Sequence, residues 1–135
     1  MNHAAKLFAL CALLALPACR SSHPVTSYLV NESVTEVDVV SRFKGLSGID
    51  VLDTRNMRQA GFLVVQMTVR NDRRGDFQLE SQAEWLDENL FVVDDADGWE
   101  GTRIGRGETR VLTFTAGSQA AQMARINLRE RHTVR

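Results

Sequence analysis

The stretch Phe62–Arg70 (FLVVQMTVR) places Leu63, Val65, Met67 and Val69 on one side of an extended chain and Gln66, Thr68 and Arg70 on the other. A period of two belongs to a strand with one buried face; on a helix the same residues would scatter around the circumference. The alternation returns in Asp76–Leu86, where Phe77, Leu79, Ala83 and Trp85 oppose Gln78, Glu80, Gln82 and Glu84, with Ser81 the polar exception on the apolar side. It returns again in Thr109–Ala116, with Leu112 and Phe114 inward, and in Met123–Glu130, with Ala124, Ile126 and Leu128 inward. Ile49–Asn56 and Leu90–Val93 read as further strands, and Tyr28–Val40 as an edge strand or a segment lying on the fold. Asp94–Gly107, rich in Gly and Asp, reads as a loop. No long amphipathic period interrupts this pattern. One-sided strands must bury their apolar faces against each other, which predicts an all-β, immunoglobulin-like antiparallel β-sandwich of about seven strands, with Trp85 at its centre.

The first residues have a different character. Met1–Lys6 carries one fixed positive charge, and Leu7–Leu16 (LFALCALLAL) is a run of ten mostly apolar residues. That is half of the roughly 20 needed to span a bilayer as a helix and matches the core of an export signal. Leu16-Pro17-Ala18-Cys19 resembles the bacterial lipobox, in which a branched apolar residue and a small residue precede an obligatory Cys; Pro17 departs from the commoner small residues. The expectation is cleavage between Ala18 and Cys19 and a lipid on the Cys19 sulfur, the membrane being the first partner. Two or three acyl chains would hold firmly where one would not. Arg20, rather than Asp, follows Cys19, which points to the outer membrane, facing the periplasm. The domains expected are a signal peptide over 1–18, a lipidated Cys and tether over 19–36, and a sandwich over 37–135. Cys11 leaves with the signal, so the mature domain has no disulfide and rests on its core alone.

Removal of 18 of the 135 residues leaves 117, enough for one core. The formal charge of the whole chain is -1, with Arg and acid interleaved, so nothing resembles the basic stripe that nucleic acid requires. Basic residues of the mature part are 14 Arg and one Lys, Lys44, a bias toward planar contacts with carboxylates or phosphates.

Candidate sites are few. Trp99 could anchor a partner or glycan. Arg73 and Arg74 at a turn, with Arg129, Arg131 and Arg135 near the C-terminus, could contact anionic envelope material. Asp94, Asp95 and Asp97 cluster in one loop, but without the closing glutamate of an EF-hand, so no metal and no cofactor are expected. His23 and His132 lie in the tether and tail, and no nucleophile-elbow, Walker or HExxH pattern occurs, so catalysis is not expected.

The segment VRNDRRGDFQLESQAEWLDENLF resembles the YcfL-like bacterial lipoproteins. Their shared pattern is an apolar strand ending in Arg-Asn, a polar turn, a strand ending in Trp-x-Asp, a turn into an apolar pair, a further Trp, a Gly-Glu turn and a last Arg-Ile/Leu strand. Here these are Arg70-Asn71, Trp85-Leu86-Asp87, Leu90-Phe91, Trp99, Gly107-Glu108 and Arg125-Ile126-Asn127-Leu128. The likeness covers roughly Ile49–Arg129. Two departures stand out: Ala83 replaces the usual aromatic before Trp85, and the usual Asp-x-x-Gly turn is Asp87-Glu88-Asn89-Leu90, which expects Asn89 to take the tight backbone angle. The resemblance implies a sandwich on a lipid anchor and brings no catalytic residues. Members are often encoded beside a lipoprotein activator of a penicillin-binding protein, which implies work in the cell envelope by association. The expected job is a non-catalytic module that binds an envelope protein partner; the alternative is binding of a small ligand or ion, such as calcium or a glycan.

Overall fold

The strand FLVVQMTVR becomes the middle of a three-stranded sheet. We describe residues 25–31, 46–94 and 98–131 of the chain from a computed structural model. Their strands are β1 (Thr26–Asn31), β2 (Ile49–Gln59), β3 (Phe62–Asn71), β4 (Phe77–Leu86), β5 (Val92–Asp94), β6 (Glu100–Ile104), β7 (Thr109–Thr115) and β8 (Met123–Glu130). One sheet runs β2-β3-β7. The other runs β1-β8-β4, and the far edge of β4 is shared by β6 at Phe77–Ser81 and β5 at Trp85–Leu86. All pairings are antiparallel. β1 lies beside β8, not beside β2.

The inward residues of the two sheets meet in one core. Leu63, Val65, Met67 and Val69 have no exposed surface, and Phe77, Leu79, Trp85, Ile126 and Leu128 pack against them. Ser81 is buried among them, as its position in the alternation required. Burying such side chains stabilises by about 1.5–3 kcal/mol each relative to exposure, so a small domain without a disulfide can stand on this layer.

Three expectations change. The edge strand offered as one reading of Tyr28–Val40 is present as β1, at the edge beside β8, but it opens earlier, at Thr26 within the stretch read as tether: Thr26, Tyr28 and Val30 point inward and are buried, and the intervening Ser27 and Leu29 face out. The signal was short and opened on a polar residue. The loop expected over Asp94–Gly107 contains β6, which contributes Ile104 to the core. Along β6, Glu100, Thr102 and Ile104 lie opposite Ser81, Leu79 and Phe77, but Glu100 is exposed, Thr102 half-buried and only Ile104 buried, so a single apolar residue carried the pattern. The short strand expected at Leu90–Val93 starts at Val92, leaving Leu90 and Phe91 in the turn.

The β2–β3 hairpin closes with two residues, Ala60 (φ 52°) and Gly61 (φ 85°). Two left-handed residues make a type I′ turn, whose twist matches that of the strands. Ala at the first position carries a Cβ that glycine would not. Ala60→Gly is expected to raise stability by about 0.5–1 kcal/mol, read as a higher urea midpoint.

Candidate functional site

The sandwich has two differently built ends. At the first end lie the β3–β4 turn, the β6–β7 turn and the approach to β2. Asn71 sits between them with no exposed surface. Its Nδ2 donates to the carbonyls of Gly75 (2.9 Å), Ile104 (3.0 Å) and Gly105 (3.2 Å), and its Oδ1 accepts from the Arg73 N–H (2.9 Å). One amide therefore holds two turns together. Gly107 supplies the left-handed residue (φ 70°), and Glu108 Oε2 accepts from the Gly105 N–H at 2.6 Å.

Arg73 belongs to the same brace. Its guanidinium donates to the Ser47 carbonyl (2.7 Å) and to Glu130 (3.1 Å), and lies 4.2 Å from the centroid of the Phe77 ring. Gly48 (φ 76°) passes so close that a Cβ there would meet Arg73 Cγ at 2.6 Å. Arg74, its neighbour, is exposed and has no partner among the described residues.

Carboxylates at this end pair with arginines, two of them with the same one. Arg70 holds Asp72 (2.8 Å) and Asp50 (3.4 Å), Arg110 holds Glu108 (2.7 Å), and Arg103 Nε donates to Asp76 at 3.0 Å. The Arg103 hydrogen bond keeps the Asp76 carboxyl below the usual carboxylate range. A pKa lower in the folded state contributes stability above the unfolded value, lost as pH falls through the folded one. The expected result is an Asp76 carboxyl that titrates below an unperturbed aspartate by NMR, and that returns upward in Arg103→Gln.

The second end gathers the β2–β3 hairpin, residues 116–122 and the β4–β5 turn. Arg58 ties the first two, donating to the carbonyls of Gly61 (2.8 Å), Gln119 (3.2 Å) and Ala121 (2.8 Å). The Gln122 N–H donates to the Leu86 carbonyl (2.8 Å). In the β4–β5 turn, Asp87 Oδ1 accepts from the N–H groups of Asn89 (2.8 Å) and Phe91 (2.9 Å). The Asp87 N–H donates to the Phe91 carbonyl (2.9 Å) and the Leu90 N–H to the Asp87 carbonyl (3.1 Å). The left-handed residue is Leu90 (φ 67°), not the expected Asn89. It stands where the related pattern has glycine. The turn therefore points three consecutive apolar side chains at solvent: Leu90 is 52% exposed, Phe91 70% and Val92 53%.

On the outer face of the β1-β8-β4 sheet, Trp99 is half-buried over Arg129, whose guanidinium carbon lies 3.9 Å from the ring centroid. Arg129 also donates to Glu80 (2.6 Å), which Arg131 approaches at 3.8 Å. Glu84 holds Arg125 (2.8 Å) and Asn127 (3.1 Å) in the neighbouring rows. Trp99 is thus stacked on the sheet instead of projecting from it, and Arg129 and Arg125 are paired across strands.

Of the remaining expected site residues, Asp94 Oδ2 accepts from the Gly117 N–H (2.6 Å). Asp95, Asp97, Ala18, Cys19, His23, His132 and Arg135 lie outside the described residues. Among the described residues no three His, Cys, Asp or Glu converge as metal ligands. Clefts between β6 and β7, floored by Ser81 and Phe114, hold about 100 and 170 Å³, below the range of roughly 300–1,000 Å³ for small-molecule sites. Sequence reasoning missed Asn71 and Asp87 as braces and the Leu90–Val92 display. The signal was present in the Arg-Asn and Trp-x-Asp steps, which mark where strands end.

A family model described as "Protein of unknown function (DUF1425)" matches residues 38–130. Two solved structures share the fold. One is a DUF1425 family member from Shewanella sp. pv-4, 22% identical, with a TM-score of 0.53, covering 79% of this chain and 97% of that one. The other is cj0090 of Campylobacter jejuni, 20% identical, with a TM-score of 0.54, covering 60% of this chain and 85% of that one. No protein with a curated description matches.

Proposed function

We propose, for a chain that belongs to the DUF1425 family, a non-catalytic protein-binding module held at the outer membrane by lipid on Cys19 and facing the periplasm. Within the family the reading is finer: a YcfL-like lipoprotein that docks a protein partner of the cell envelope through Leu90, Phe91 and Val92. The observation that carries it is a leucine in the left-handed region with its side chain in water. A Leu there costs about 1–2 kcal/mol that Gly would avoid, and its exposed side chain recovers little of that by burial. Strain held in place by a braced turn is characteristic of surfaces kept for binding. Phe is among the aromatic residues enriched at the cores of protein interfaces.

Leu90→Gly is therefore expected to stabilise the fold by about 1 kcal/mol while weakening partner binding. The test compares proteins co-isolated with the full-length wild type, Leu90→Gly and Phe91→Asp from detergent-solubilised envelopes. One partner retained by the wild type and lost from both variants, with both variants folded, supports the reading. Equal retention by all three contradicts it, as does turnover of a cell-wall substrate by the purified protein.

A further inference from the structure

We infer that the first end of the sandwich, through Arg74 and Arg106, rests on an anionic phospholipid surface and so holds the Leu90–Val92 end away from the membrane. The inference builds on the lipid anchor at Cys19 proposed above. Three observations carry it.

The first is charge. At this end five carboxylates engage four arginines: Asp50 and Asp72 share Arg70, Asp76 has Arg103, Glu108 has Arg110 and Glu130 has Arg73, so Arg74 and Arg106 turn the balance from negative to positive. Arg74 and Arg106 are left exposed, and neither guanidinium has a carboxylate partner among the described residues. Each sits at the tip of a turn, where it can reach beyond the sandwich. A basic side chain at an anionic membrane surface shifts partition by roughly fivefold.

The second is rigidity. The two turns are not independent loops, because the Asn71 amide holds the carbonyls of both Gly75 and Gly105. Both guanidinium groups are presented from one fixed platform, so engaging a flat surface with both orders little additional backbone.

The third is where the chain enters. β1 pairs with β8 from Thr26 opposite Leu128 to Asn31 opposite Met123. It therefore travels from the side of the Arg74 and Arg106 turns toward the Leu90–Val92 end. From Cys19 to Val25 the backbone spans at most about 20 Å. From Ser81, level with Leu128, to Phe77 is about 13 Å along β4. A lipid on Cys19 is thus within reach of a bilayer lying against the first end. With the tether already confining the domain, the net positive charge that Arg74 and Arg106 give this end biases orientation by roughly fivefold.

The test uses the mature chain, residues 19–135, with Cys19 coupled to a maleimide lipid and mixed into vesicles of phosphatidylcholine with or without phosphatidylglycerol. Amide hydrogen exchange is read by mass spectrometry. The expected result is slower exchange at residues 73–76 and 105–108 on anionic vesicles only, reversed at about 0.5 M salt, where screening acts within a few ångströms. Arg74→Gln/Arg106→Gln abolishes the slowing, and residues 59–61 and 87–91 are unaffected. Equal exchange on both vesicle types overturns the inference, as does slowing at 87–91, or slowing on isolated peptidoglycan but not on anionic vesicles. Because coupling to Cys19 is chemical, these outcomes are separate from failure of the anchor reading, which would show as an unmodified Cys19 in protein isolated from cells.

Discussion

Asn71→Ala should destabilise the fold by about 3 kcal/mol. The side chain is wholly buried and satisfies three carbonyls and one N–H from two different turns. Truncation removes the protein partner of all these groups, and each one that stays buried and unsatisfied costs about 1–3 kcal/mol. Water can reach Gly75 and Gly105 more readily than Ile104, which keeps the total below the full sum. Asn71→Asp should cost at least as much, since a carboxylate oxygen would face three carbonyl oxygens. Urea titration measures both, as a lower midpoint at unchanged slope. A loss under about 1 kcal/mol for Asn71→Ala would mean that the brace contributes little.

Trp85→Ala should cost about 3–5 kcal/mol. Trp85 is 2% exposed, lies on β4 opposite Ala124 of β8, and joins the core between the two sheets. The loss combines transfer of the indole with the cavity it leaves, and stiff strands on both sides limit collapse into that space. Ala83, two residues earlier on the same face, is itself small, so no adjacent aromatic is available to fill in. Trp85→Phe should lose substantially less. A thermal or urea measurement placing Trp85→Ala within about 1 kcal/mol of the wild type would show that the core is organised around something else.

The contrast between these residues shows what the sequence could carry. Trp85, Leu63 and Leu128 were legible because each sits in a run of period two, and sheet burial has no other period. β6 was not legible, because five residues with one apolar side chain inward carry too little signal beside Gly98, Gly101 and Gly105. The left-handed position in the β4–β5 turn was assigned to Asn89 by residue preference, whereas the hydrogen bonds to Asp87 place it at Leu90. Local preference lost to a cap that fixes its turn by geometry. Arg73 reads in the sequence as a candidate contact for anionic envelope material, because nothing there brings Ser47, Phe77 and Glu130 to it. The candidate surface at Phe91 stayed hidden for a related reason: an apolar pair after a turn reads as the start of a strand until the pairing of β5 with β4 is known to begin at Val92.

The motif residues of the resemblance now have physical assignments. Asn71 and Glu108 brace one end, Asp87 caps a turn at the other, and Trp85 fills the core, while Trp99 stacks on Arg129. These are roles in holding shape. They leave the display of Leu90, Phe91 and Val92 as the feature that shape-holding alone does not explain.

That display is tested most directly by placing a photo-crosslinking amino acid at position 91 of the full-length protein in living cells, with position 113 on the exposed side of β7 as the control. The account predicts one discrete crosslinked protein at position 91, absent at 113 and reduced when Leu90→Gly is combined with the probe. A ladder of products equal at both positions, or crosslinking to lipid in place of protein at position 91, would contradict it.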